Sequence, residues 1–199
     1  DKLYGQNRWG LALDHRGLFR LPFSDTKDGN FRLQLNRVSD DSYWRDFPRA
    51  NASLTQRLLS NEFLASATLN GWFTQFRAQR WQTLQDSTSP ITPPFDRAPQ
   101  ITTRRNFFFA NGVQVQAEGD FTSFSSRTDL TAQPNGNRLY GVAQISRPWI
   151  QPSGFITPKL QLHATAYQLD SNASTTDTFR QRFVPTYSLD SGLFFEKDS

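Results

Sequence analysis

Cysteine is absent from the 199 residues, which excludes disulfides, thiolate nucleophiles and zinc–thiolate sites within this stretch. No apolar run approaches the roughly 20 residues that a membrane-spanning helix needs, so a helical membrane protein is excluded. The opening Asp1-Lys2-Leu3-Tyr4-Gly5 lacks the basic and apolar regions of a signal peptide. Val and Ile are few, the apolar fraction is 36% and the mean hydropathy is −0.63, whereas a packed soluble sandwich of this length would carry more aliphatic residues. The net charge of +4 is spread over 22 basic and 18 acidic residues with no run of like charge. A nucleic-acid partner, which would want a clustered basic face, is therefore not expected. Phosphate-binding Gly-Lys-Ser/Thr loops, nucleophile elbows and Gly-x-Gly-x-x-Gly turns are missing as well.

What is present is alternation. From Val113 the chain reads Val113, Gln114, Val115, Gln116, Ala117, Glu118, Gly119, Asp120, apolar or small at odd positions and polar at even ones. That is the period of a strand. Ala110-Asn111-Gly112 separates it from the run 101–109, and Asn-Gly supplies the positive φ angles of a tight hairpin. The same period recurs at 8–15, 31–36 and 137–147. It recurs again at Lys159, Gln161, His163, Thr165 and Tyr167 against Leu160, Leu162, Ala164 and Ala166, and from Phe179 onward. Strands are also expected over 54–69, with a possible bulge at Ser60-Asn61-Glu62, and over 72–84, where Trp72, Phe76 and Ala78 compete with Phe73 and Trp81 for the apolar face. Residues 87–99, with four prolines, read as a loop, as do 39–52, 125–136 and 170–177.

The connections after the third, fifth and seventh strands are short, and those after the second, fourth, sixth and eighth are long and polar. That asymmetry belongs to outer-membrane barrels. The expected fold is therefore all-β, an antiparallel up-and-down transmembrane β-barrel segment of about nine strands, not closed within this chain, with 1–199 forming one partial domain. In such a wall Val115 faces lipid. Gln114, Gln116, Glu118, Asp120, Lys159, Gln161 and His163 face the lumen.

Chemical motifs are sparse. Leu189-Asp190-Ser191-Gly192 matches the core of an aspartic protease, whose chemistry needs a second such carboxylate, and no second copy exists. His15 and His163 lie far apart with no ligand spacing around them, so no metal site, cofactor or catalytic residue is expected. Asn51-Ala52-Ser53 and Asn172-Ala173-Ser174 are formal glycosylation sequons in polar loops. Arg45, Arg49, Arg80, Arg97, Arg104, Arg105 and Arg127 fall in or near the long connections. They read either as solvated loop charge or as a rim that binds lipid phosphates bidentately, with Arg97, Arg104 and Arg105 as the candidate contacts.

Three separated segments carry a family resemblance. Residues 31–47, from Phe31 through Tyr43-Trp44-Arg45 to Phe47, resemble a strand and loop of the LPS-assembly protein (LptD, organic solvent tolerance protein) family. So do Pro94-Phe95-Asp96-Arg97-Ala98-Pro99-Gln100-Ile101 and the run from Arg182-Phe183-Val184-Pro185 to Glu196. The resemblance implies a very large barrel in the bacterial outer membrane, in contact with its lipid, that places lipopolysaccharide in the outer leaflet. It also implies a lipoprotein (LptE-like) that plugs the barrel and periplasmic bridge proteins that deliver lipopolysaccharide through an N-terminal domain. The family's disulfide cysteines, N-terminal domain and closing strands have no counterpart in these residues, so the chain resembles an interior slice. With two unpaired edges such a slice is not expected to fold alone. A generic pore or an outer-membrane hydrolase is the alternative.

Overall fold

The computed structural model describes residues 5, 7–21, 28–49, 51–127, 131, 133–171 and 178–195. They form a single antiparallel sheet in which sequential strands are spatial neighbours. The strands are β1 (Gly10–Arg20), β2 (Asp28–Val38), β3 (Leu58–Leu69), β4 (Trp72–Thr83), β5 (Asp96–Phe108), β6 (Gln114–Ser125), β7 (Gly136–Ser146), β8 (Trp149–Gln151), β9 (Gly154–Leu169) and β10 (Phe179–Leu193). The sheet runs β1-β2-β3-β4-β5-β6-β7-β9-β10, with the three-residue β8 paired to β9 off that path. The one helix among the described residues is α1 (Tyr43–Asp46), a single turn. No helix among the described residues is long and apolar enough to cross a membrane.

A sheet this wide would normally bury one face against a second layer. Among the described residues the buried apolar core is only Val38, Leu54, Leu59 and Leu84, with Tyr43 and Trp44 packed on it. Phe63, Phe76, Ile101, Phe121, Leu139, Leu160, Phe183 and Tyr187 are exposed along the strands. Paired residues in an antiparallel ladder share a face, so the register places all of these on one side. Aromatic contacts run along that side from His15 through Phe31 and Phe63 to Phe76, with centroids 5.6, 6.3 and 6.2 Å apart. Among the described residues no second layer covers it.

The register also resolves the two ambiguous strands. On β4, Trp72, Phe76 and Ala78 share the apolar face, while Phe73 turns to the polar face beneath the Arg104 guanidinium, 5.0 Å away. β3 pairs with β4 without a break from Leu58 to Leu69, so Ser60-Asn61-Glu62 is not a bulge on that side. Instead the β2–β3 ladder stops at Gln34↔Glu62, and the Asn61 side-chain oxygen takes the Asn36 backbone N–H at 3.0 Å. The register shift lies in β5, between Arg97 and Gln100. Pro99, expected in a loop, sits at this bulge inside the strand, where the extra residue leaves a position that needs no backbone donor.

Two turns show how the hairpins close. Asn70 and Gly71 have φ of 49° and 80°, the pair of positive angles a two-residue turn requires. At 109–113 only Gly112 is positive, at 81°. Phe109 donates to the Val113 carbonyl and Gly112 to the Phe109 carbonyl, both at 2.9 Å, which makes a three-residue loop with glycine at the left-handed position.

Candidate functional site

The opposite face of the sheet is polar, and its strands are tied together by charge. Asp14 on β1 pairs with Arg32 on β2, Glu62 on β3 with Arg77 on β4 (3.3 Å), Asp120 on β6 with Arg138 on β7 (2.9 Å), and Lys159 on β9 with Asp190 on β10 (3.7 Å). Each pair bridges adjacent strands, because alternation puts both partners on the same side. Asp190, the aspartate of the protease-like triplet, is thus paired diagonally with a lysine.

The most heavily bonded group is Asp120. Its carboxylate accepts from Thr122 (2.6 Å), Gln100 (2.8 Å), Thr102 (2.9 Å) and Arg138 (2.9 Å), drawing side chains from β5, β6 and β7. Thr122 is fully buried and Asp120 nearly so, and the Arg138 guanidinium lies over the Phe124 ring, 5.4 Å from its centroid. Farther along the face, Tyr140, His163, Thr165, Arg182, Val184 and Thr186 line a hollow of about 330 Å³, with the Tyr140 hydroxyl 3.4 Å from His163 Nδ1.

All the residues expected on one polar wall lie on one face. Gln114, Gln116, Glu118 and Asp120 pair with Ser146, Gln144, Val142 and Tyr140, and Ser146, Gln144 and Val142 pair with Lys159, Gln161 and His163. His15 lies on the apolar side. Arg97, Arg104 and Arg105, the candidate phosphate contacts, do not converge. Arg97 stands at the long-connection end of β5, whereas Arg104 and Arg105 lie toward its short-turn end, on the polar and apolar faces respectively. Arg105 packs on Phe107 at 4.6 Å, close to the glycine of the β3–β4 turn.

The described part of the connection between β2 and β3, of which 39–52 reads from the sequence as a polar loop and 54–57 as the start of a strand, packs over the polar face. Arg8 forks onto Asp40 (2.9 and 2.8 Å), reaches Asp46 (2.9 Å) and stacks on Phe47 (4.8 Å). Asn51 and Ser53 share a hollow with Ala12, Asp14, Gln34 and Asn36. A Cβ on Gly10 would fall 2.7 Å from the Tyr43 hydroxyl and 2.9 Å from Leu54 Cδ1, so glycine there lets the connection approach. Tyr43 and Trp44 within a polar stretch were the one sequence signal of this packing.

Burial works to raise the Asp40 carboxyl, but the Arg8 guanidinium and the Ser39 hydroxyl outweigh it and hold it below the usual carboxylate range. A lowered carboxyl stabilises fully above its unfolded value and loses that contribution as pH falls through the folded one, so the clasp is intact at neutral pH. Arg8→Ala removes both ion pairs and the stacking together. Limited proteolysis of the full-length protein at neutral pH should then cut within 39–57 severalfold faster than in the wild type.

A family model for LPS transport system D matches residues 6–199. The LPS-assembly protein LptD of Albidiferax ferrireducens is 47% identical over 205 residues, covering 100% of this chain and 25% of the relative. Those of a Polaromonas species and of Ralstonia nicotianae are 44% and 35% identical, again across the whole chain and over 25% and 24% of their own length. The chain spans about a quarter of these relatives.

Proposed function

This chain belongs to the LptD family, and from that premise we propose that it is one stretch of wall in an outer-membrane barrel that passes lipopolysaccharide to the outer leaflet. The carrying observation is the separation of faces, held in register from β1 to β10. The apolar face meets lipid, which explains why no protein layer covers it. The polar face lines the lumen, where the crossed ion pairs keep a wet wall rigid and leave hydroxyls, amides and guanidinium groups for sugars and phosphates. Gln114, Gln116, Glu118, Lys159, Gln161 and His163 belong to that lining, and Asp120 braces it.

The long connections 39–57, 84–95, 126–135 and 170–178 then mark the outside, and the short turns the periplasm. Trp72 and Phe107, edge to face at 6.0 Å, sit beside the short turns as an inner aromatic girdle. Arg97 is the phosphate contact at the outer rim, with Arg104 in the lumen and Arg105 in the girdle. A lipoprotein plug and periplasmic bridge proteins are the partners of the whole barrel, and the work of this segment is transport without catalysis.

Single cysteines test the wall. In the full-length protein in its membrane, cysteines replacing Gln116, Gln161 and His163 should react with small charged thiol reagents, and those replacing Leu162 and Ala164 should stay largely unlabelled, since thiolates do not form in hydrocarbon. Photo-crosslinkers at the first set should capture lipopolysaccharide or the plugging lipoprotein. Uniform labelling would point to a sheet outside lipid. Alternation without capture of either partner would leave a barrel and remove transport from this wall.

A further inference from the structure

The apolar face turns polar near its long-connection end, with Arg37 one alternate position beyond the level of Arg80. On β2 the series Phe31, Leu33, Leu35 gives way to Arg37, on β4 Phe76 and Ala78 give way to Arg80, and on β3 Phe63 is followed by Asn61, the register partner of Arg80. From Leu69 to Asn61 the strand covers about 26 Å at roughly 3.3 Å per residue. Tilted in a barrel, that matches an apolar band of about 25 Å or slightly less. These three neighbouring strands therefore leave hydrocarbon within one alternate position of each other at their long-connection ends.

There the face opens into a hollow of about 520 Å³, bordered by Arg37, Arg80 and Arg127 beneath Pro93 and Pro94. Arg37 and Arg80 are exposed, and neither is in a side-chain ion pair among the described residues. Asp41 and Asp96 also border the hollow; Asp96 accepts the Trp81 backbone N–H at 2.8 Å and feels the charge of Arg80 without forming an ion pair with it. Elsewhere on this face, among the described residues, Arg105 is stacked on Phe107 and Arg147 on Trp149. Two unstacked, unpaired guanidinium groups at the edge of hydrocarbon favour a phosphate, which both can bind bidentately.

Resting on the reading that this face meets lipid with its long connections outward, we propose that Arg37 and Arg80 form a binding site on the outside of the wall for a phosphorylated glycolipid of the outer leaflet. Its phosphate lies between the two arginines and its sugar head under Pro93 and Pro94. The acyl chains run down over Leu33, Phe63 and Phe76. The site is separate from the luminal path.

The test uses full-length protein in proteoliposomes with a photo-crosslinking side chain at Leu35, which borders the hollow. Vesicles containing lipid A should give strong capture. Capture should fall about tenfold in Arg37→Ala/Arg80→Ala, as expected for the loss of charge-assisted bonds, and similarly with dephosphorylated lipid A. Arg147→Ala, at the other end of the same face, should leave it unchanged. Equal capture of dephosphorylated lipid A or phosphatidylglycerol, suppression by inorganic phosphate alone, or an undiminished signal in the double variant would overturn the site. A cysteine at Leu33 provides the distinguishing control: if it labels as readily as one at Gln161, the assignment of this face to lipid has failed, whereas protection at Leu33 with no phosphate dependence rejects the glycolipid site only.

Discussion

Leu162→Arg is expected to destabilise the full-length protein in lipid by about 2–4 kcal/mol, and Gln161→Arg, one residue away, by less than about 0.5 kcal/mol. Leu162 lies near the middle of β9, between Ala143 of β7 and Pro185 of β10 on the apolar face. A guanidinium there has neither a counter-ion nor enough length to reach either interface. Gln161 lies between Gln144 and Thr186 on the polar face, where an added arginine stays hydrated. Urea unfolding in lipid vesicles reads the difference. Equal effects would mean that the apolar face is not in hydrocarbon. Depth matters to the choice of site: Val115 faces the same way but adjoins the 109–113 turn, where the penalty falls to about 0–1 kcal/mol.

The faces were legible in the sequence wherever alternation was clean. Gln114 to Asp120 and Lys159 to His163 lie on one polar wall because a strand's period is fixed by backbone geometry and needs no tertiary information. Phe73 and Trp81 defeated that reading on β4, since a ring on the polar face beneath Arg104 looks in sequence like one facing lipid. Pro99 defeated it on β5, since a bulge is a property of two strands and shows in neither alone. The short β8 was missed because a three-residue strand exists only by its pairing with β9. The clasp on this connection depends on Arg8 meeting Asp40 and Asp46 across sequence separations of 32 and 38 residues, a proximity that periodicity cannot express. The arginines fared similarly. Closeness to a long connection in sequence was a poor guide to height in the wall, and Arg104 and Arg105 lie at the opposite end of β5 from Arg97.

Asp120→Ala is expected to be the most damaging change on the polar face, costing about 3–5 kcal/mol as measured by urea unfolding of the full-length protein. The carboxylate accepts four side-chain hydrogen bonds, and its removal leaves the fully buried Thr122 hydroxyl and the Gln100 amide without their partner. It also leaves the Arg138 charge beside a cavity. Arg138→Ala should cost less, because the arginine side chain is 31% exposed and water can replace part of what it supplies, against 7% for Asp120. The double variant should fall short of the sum of the two by about 0.5–3 kcal/mol, the coupling typical of residues that share a network. Glu118, two residues earlier on the same face and in no side-chain ion pair among the described residues, is the control: Glu118→Ala should change stability by less than about 0.5 kcal/mol. If Asp120→Ala and Glu118→Ala prove equally mild, the polar face is a solvated surface whose charges act singly, and Asp120 does not lock β5, β6 and β7 together.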